Sequence, residues 1–143
     1  MDKKANPFAN PKIHNYQHMH SININEKFNL FQETWTPKII GELNGQYVKL
    51  AKLEGEFVWH DHANEDELFM VFKGTLFMDL KKEDGSVYTE TIKEGETLIV
   101  PKGVQHRPRT NGELVHVLLF EPKSTAHTGD VVHELTKHSL EHL

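Results

Sequence analysis

The chain has 143 residues, 37% of them hydrophobic and 26% charged, with a formal net charge of −5 and no cysteine. That length suits one domain with a buried core, and the acidic balance argues against nucleic acid as a partner. Disulfides and thiolate metal ligation are excluded, and no apolar run approaches the roughly 20 residues that a membrane-spanning helix needs.

In chain order, residues 1–27 are polar and rich in Asn, Pro and His, and read as a loosely docked N-terminal arm. "MDKKANPFANP" has lysines but no apolar stretch behind them, so it does not read as a signal peptide and a cytoplasmic location is the default expectation. Within "SININEKFNLF" one helical turn is expected, with Asn25 as N-cap and Phe28 and Phe31 on a shared face. "TWTPKIIGEL" reads as extended because Pro37 forbids a helix interior.

From Gln46 the texture becomes short strands between turn signals. "QYVKLAKL" alternates, "EFVWHDH" is extended, and "ELFMVFKGTLFMDL" gives two strands broken at Lys73-Gly74. "KKEDGS" carries an Asp-Gly hairpin turn. "VYTETI", "TLIVP" and "ELVHVLLFEP" follow, the last ending at Pro122. Such spacing predicts an all-β sandwich or barrel over residues 28–122, with residues 28–44 as an N-terminal edge segment. Residues 123–143 turn polar again and form a C-terminal arm, with a weak helical turn near "TKHSLEHL".

Eleven histidines are present, but His14, His18, His20, His138 and His142 lie in the polar terminal segments. The pair in "WHDHANEDELF" is different. On a strand, His60 and His62 point to one face with Cα atoms roughly 6.6 Å apart, a separation from which two rings can converge on one ion. Glu67, Glu65 and Asp66 are the candidate carboxylates nearby, and the latter two lie closer to the loop. Further on, "GETLIVPKGVQH" places His106 after a bend that Pro101 and Gly103 define.

Together these stretches resemble the cupin family. Its first motif is a glycine, H-x-H, a glutamate and a second glycine, here Gly55, His60-Asp61-His62, Glu67 and Gly74. The second is a glycine, P-x-G, a histidine and an asparagine, here Gly95, Pro101-Lys102-Gly103, His106 and Asn111. Gly55 is one residue closer to His60 than is usual, and Asn111 comes one position late, which puts any role for Asn111 in doubt. The resemblance covers about residues 46–122 and implies a double-stranded β-helix, or jelly-roll, barrel. It also implies one divalent transition metal ion held by His60, His62, Glu67 and His106. Three neutral imidazoles and a carboxylate leave such an ion near a net +1, and suit Fe, Mn, Ni, Co or Zn. Glu65 and Asp66 would add negative potential at the rim or hydrogen-bond a ligand histidine.

The function implied is metal-dependent handling of a small polar or anionic molecule, by isomerisation, epimerisation or dioxygenation. The alternative is a non-catalytic module that binds or senses a small ligand. Glu56, His116 and Tyr47 are the candidates for an additional acid or base. Arg107 and Arg109 either bind an anion or pair with surface acids, and Trp59 should face away from the ligand histidines. The "VVHELTKH" stretch fails zinc-protease spacing, because Lys137 stands where the second histidine is needed. His127 reads as a loop residue. Residues 28–44 are apolar enough to need burial, which predicts a homodimer in which they cover or extend a neighbour's sheet.

Overall fold

The computed structural model describes residues 20–125, 129 and 139–143. His18, His127, His133 and His138, and most of both expected arms, lie outside the described residues.

A single turn of helix comes first, α1 (Ile24–Phe28). Its N-cap is Asn23, whose side chain accepts from the Glu26 amide at 3.1 Å. The cap therefore falls two residues before Asn25, at the position whose side chain can reach a free amide three residues on. Eight strands follow among the described residues: β1 (Lys38–Leu43), β2 (Gln46–Leu53), β3 (Glu67–Lys73), β4 (Leu76–Lys81), β5 (Val87–Ile92), β6 (Thr97–Val100), β7 (His106–Arg109) and β8 (Val115–Pro122). They form two antiparallel sheets, ordered β1-β2-β8-β3-β6 and β5-β4-β7. The fold is the double-sheet jelly roll expected of the sequence.

Strand alternation decides what goes inside. Ala51 and Leu53 of β2, Phe69 and Val71 of β3, and Val115, Val117 and Leu119 of β8 meet Leu76, Met78 and Leu80 of β4 in one core between the sheets. The opposite face of the larger sheet is covered too. Phe28 and Phe31 pack there on Leu50, Phe72 and Leu118, and β1 extends β2 of the same chain. Phe28, Phe31, Trp35 and Ile39 of segment 28–44 are thus buried within one chain, while Leu30 and Leu43 stay exposed.

Gly74, between β3 and β4, has φ +81°, and a Cβ there would stand 3.0 Å from Val115 Cγ2 and 3.1 Å from the Leu114 carbonyl oxygen. Glycine is required by both backbone and space. The stretch from Glu56 to His62 is extended but joins the smaller sheet only through the isolated bridges Glu56↔Arg109 and His60↔His106.

Candidate metal centre

His60 and His106 face each other across a two-residue ladder. The His60 amide donates to the His106 carbonyl at 3.0 Å, and the His106 amide returns a bond of 2.9 Å. The Gly103 amide donates to the His62 carbonyl at 2.8 Å, so the Pro101–Gly103 bend is tied to the other motif. Asp66 accepts from the Lys102 amide at 2.9 Å, and Glu65 accepts from the Ser124 hydroxyl at 3.0 Å. These two acids brace loops. Glu67, at the start of β3, is the carboxylate that turns inward.

The four side chains are buried together. His60 and His106 rings lie 4.3 Å apart, His60 and His62 5.2 Å, and His62 and His106 5.6 Å, centroid to centroid. One potential ligand atom from each of His60, His62, Glu67 and His106 falls within 4.8 Å of the others. Nδ1 of His60 is 2.9 Å from the Val58 carbonyl oxygen, and Nδ1 of His106 is 2.9 Å from that of Val104. A carbonyl can only accept, so each Nδ1 carries the proton and each Nε2 presents a lone pair inward.

Glu67 Oε2 lies 2.9 Å from His62 Nε2 and 3.3 Å from His106 Nε2. The approach is close but lacks hydrogen-bond geometry, and all three atoms are buried without a hydrogen-bond partner. Orphaned buried polar atoms are costly, and three converging on one point fit a cation between them. Burial, and then the neighbouring His106, lower the His60 pKa from 6.5 to about 4, which keeps that ring neutral at physiological pH. For His62, burial works against ionisation, but Glu67 outweighs it and raises the pKa. Burial pushes Glu67 up, while the imidazoles of His106 and His62 more than offset this and leave it below the usual carboxylate range.

The cupin-domain pattern (Cupin_2) matches residues 46–122 of the chain. The chain is a cupin. It is similar to the crystal structure of a cupin-2 domain protein from Shewanella frigidimarina, with 42% identity and a TM-score of 0.66, over 71% of this chain and 94% of that one. A Neisseria meningitidis protein of known structure is 34% identical, TM-score 0.62, over 73% of this chain and all of the other. Among curated proteins, YdbB of Bacillus subtilis is 41% identical over 71 residues, half of this chain and 59% of YdbB. The chain spans about half the length of the curated relatives it matches.

Beside His60 and Glu67 this cupin has a cavity of about 30 Å³, the remainder of whose lining is apolar, including Trp35, Leu53, Phe57, Phe69 and Leu119. The proposed acids and bases are elsewhere. Glu56 is exposed and bonded to Arg107 at 2.8 Å, and His116 sits on the outer face of β8, stacked on Phe28 at 4.4 Å. Tyr47 faces His142 at 5.9 Å and is not among the residues lining the cavity. Arg107 and Arg109 are held by Asp79, and Trp59 lies under Lys81 and Arg107, on the side away from the ligand cluster. His20 is exposed, and so is Asn111.

Two residues, one of them expected only in the core or at an interface, were not placed at the site from the sequence. Trp35 enters the cavity from before the barrel. Glu121 is 1% exposed, and its Oε1 accepts from the equally buried Lys49 Nζ at 2.7 Å. It stands one step beyond the Leu68↔Phe120 pair of the β3–β8 ladder, beside Glu67, and burial together with that carboxylate pushes its own pKa well up. A signal existed: Glu121 shares parity with Val115, Val117 and Leu119, and Lys49 with Ala51 and Leu53.

Proposed function

We propose that this cupin binds one divalent transition metal ion through His60, His62, Glu67 and His106, and handles a small molecule in the adjoining cavity. The observation that carries the reading is the convergence of four ligand atoms within 4.8 Å of one another at a buried point. Imidazole nitrogen with carboxylate oxygen suits Fe, Mn, Co, Ni or Zn. When bound, such an ion supplies Lewis acidity or redox chemistry with dioxygen.

The chain's own residues supply orientation and dryness. The Val58 and Val104 carbonyls hold two rings by Nδ1, and the apolar wall keeps water from the ligand cluster. Isomerisation and epimerisation move a proton and call for a poised acid or base. Among the described residues that line the cavity, only His60 and Glu67 titrate, and both are assigned to the ion. This favours oxygenation of a small molecule over isomerisation. The absence of a further titratable group among the described residues that line the cavity favours, as the second reading, metal-dependent binding or sensing without turnover.

Elemental analysis of the purified protein tests the proposal. The parent chain is expected to hold about one ion, and His62→Ala and His106→Ala to lose most of it while the β-sheet circular dichroism persists. Metal content unchanged in both variants would remove the proposal. Dioxygen consumption by the metal-loaded parent, with a candidate substrate present, then separates oxygenation from binding.

A further inference from the structure

We propose that the cavity over His60 and Glu67 selects an uncharged ligand with an apolar body and a single oxygen donor, and that Trp35 is the residue enforcing this choice. The inference rests on the metal reading above and names the ligand class for the same site.

Trp35 precedes the stretch matched by the family pattern, so family membership does not account for it. It is a bulky residue at φ +54°, a conformation that L side chains avoid unless the surroundings impose it. Here they do. The Trp35 amide donates to the Lys52 carbonyl at 2.9 Å, and the indole Nε1 donates to the Glu54 carbonyl at 2.8 Å. The indole then stacks on Phe57 at 4.7 Å with the rings 4° from parallel, and Phe57 meets the His60 ring edge-on at 5.5 Å. Trp35 is 7% exposed. A strained backbone is thus used to seal an apolar wall against a ligand-cluster histidine.

Polarity of the occupant follows from where the cations are. Arg107 and Arg109 are bound to Asp79, Lys49 to Glu121, and Lys52 donates to the Phe31 carbonyl at 2.6 Å. No cationic side chain lines the cavity among the described residues. A carboxylate ligand could satisfy the oxygens on the ion, but its remaining charged oxygens would meet hydrocarbon, which is unfavourable. An aromatic or aliphatic body gains from the same surface. The cavity of about 30 Å³ holds roughly one or two waters, so a larger ligand presses directly on the indole that forms its wall.

The test uses the full chain loaded with zinc, with phenol and malonate as probes in isothermal titration, and metal content measured on the same samples. Phenol is expected to bind at least roughly tenfold tighter than malonate and to change the tryptophan emission. Trp35→Ala, which lets water reach the wall, is expected to shrink that preference to about threefold or less with metal retained. Trp35→Phe keeps the preference and loses the emission change, because Trp59 lies on the other side of the sheet. Malonate binding tighter than phenol to the metal-loaded parent overturns this inference and leaves the metal reading standing, as does a Trp35→Ala preference equal to the parent's. A parent chain that takes up no zinc ends both.

Discussion

Asp79→Asn is the substitution whose effect can be worked through most fully. Asp79 is 3% exposed. Its Oδ1 accepts from the Thr89 hydroxyl at 2.7 Å, and its Oδ2 accepts from Arg109 Nε at 2.9 Å and from Arg107 Nη2 and Nε at 2.9 and 3.2 Å. Burial alone would raise the carboxyl pKa, but the bonds from Arg109, Thr89 and Arg107 outweigh it and lower the value from 3.8 to about 2. At about 1.4 kcal/mol for each tenfold change in proton affinity, that gap contributes about 2 kcal/mol to folding. Because the folded-state pKa is the depressed one, the contribution is complete above pH 4 or so and disappears as pH falls towards 2. Asparagine cannot ionise. The variant is therefore expected to be about 2 kcal/mol less stable than the parent at pH 7, with the difference closing between pH 4 and 2. Urea unfolding at pH 7, 4, 3 and 2.5 measures both quantities. A deficit as large at pH 2.5 as at pH 7, or none at pH 7, would refute the reasoning. Bound metal is expected to stay at the parent level, since Asp79 of β4 and its arginines on β7 lie on the outer face of the smaller sheet.

Other outcomes follow from the same geometry. Replacing His18 and His20 together leaves metal content unchanged by elemental analysis, and a large loss would mean that the terminal pair takes part in binding. Phe28→Ala removes the ring that packs on Phe31, Phe72 and His116, with an expected loss of about 3–5 kcal/mol in urea unfolding and no change in metal stoichiometry. A loss below about 1 kcal/mol would show that the outer layer is dispensable. Gly74→Ala meets both a positive φ and the Val115 and Leu114 contacts, and is expected to destabilise by about 1–3 kcal/mol. A variant as stable as the parent would contradict the tight packing at that turn.

The strands with alternating or uniformly apolar residues were legible in the sequence. Residues 46–53 and 87–92 read as strands at the bounds the structure shows, and the Lys73-Gly74 break separates β3 from β4. β7 was not legible. "HRPR" has charge on alternate residues and a proline, which lacks the amide a ladder needs. It is tolerated because β7 is an edge strand of the smaller sheet, with His106 and Pro108 buried and both arginines outward on Asp79. The four histidine and glutamate positions could be read because their spacing is local to two motifs. Trp35 could not, since its place depends on a parallel bridge between Thr34 and Lys52, a pairing that no periodicity announces. Glu121 and Lys49 were readable by parity, but a charged side chain points inward only where a buried partner meets it, and their pairing at 2.7 Å across the β2–β8 ladder is not visible in either strand alone.

The reciprocal amide bonds between His60 and His106 bring the two motif stretches together through the main chain. On the proposed metal reading, loading would then be a docking event and not a folding event, unlike small metal-nucleated domains that collapse without their ion. A chelator would then be expected to leave the barrel folded, with its four side chains still held together by the main chain.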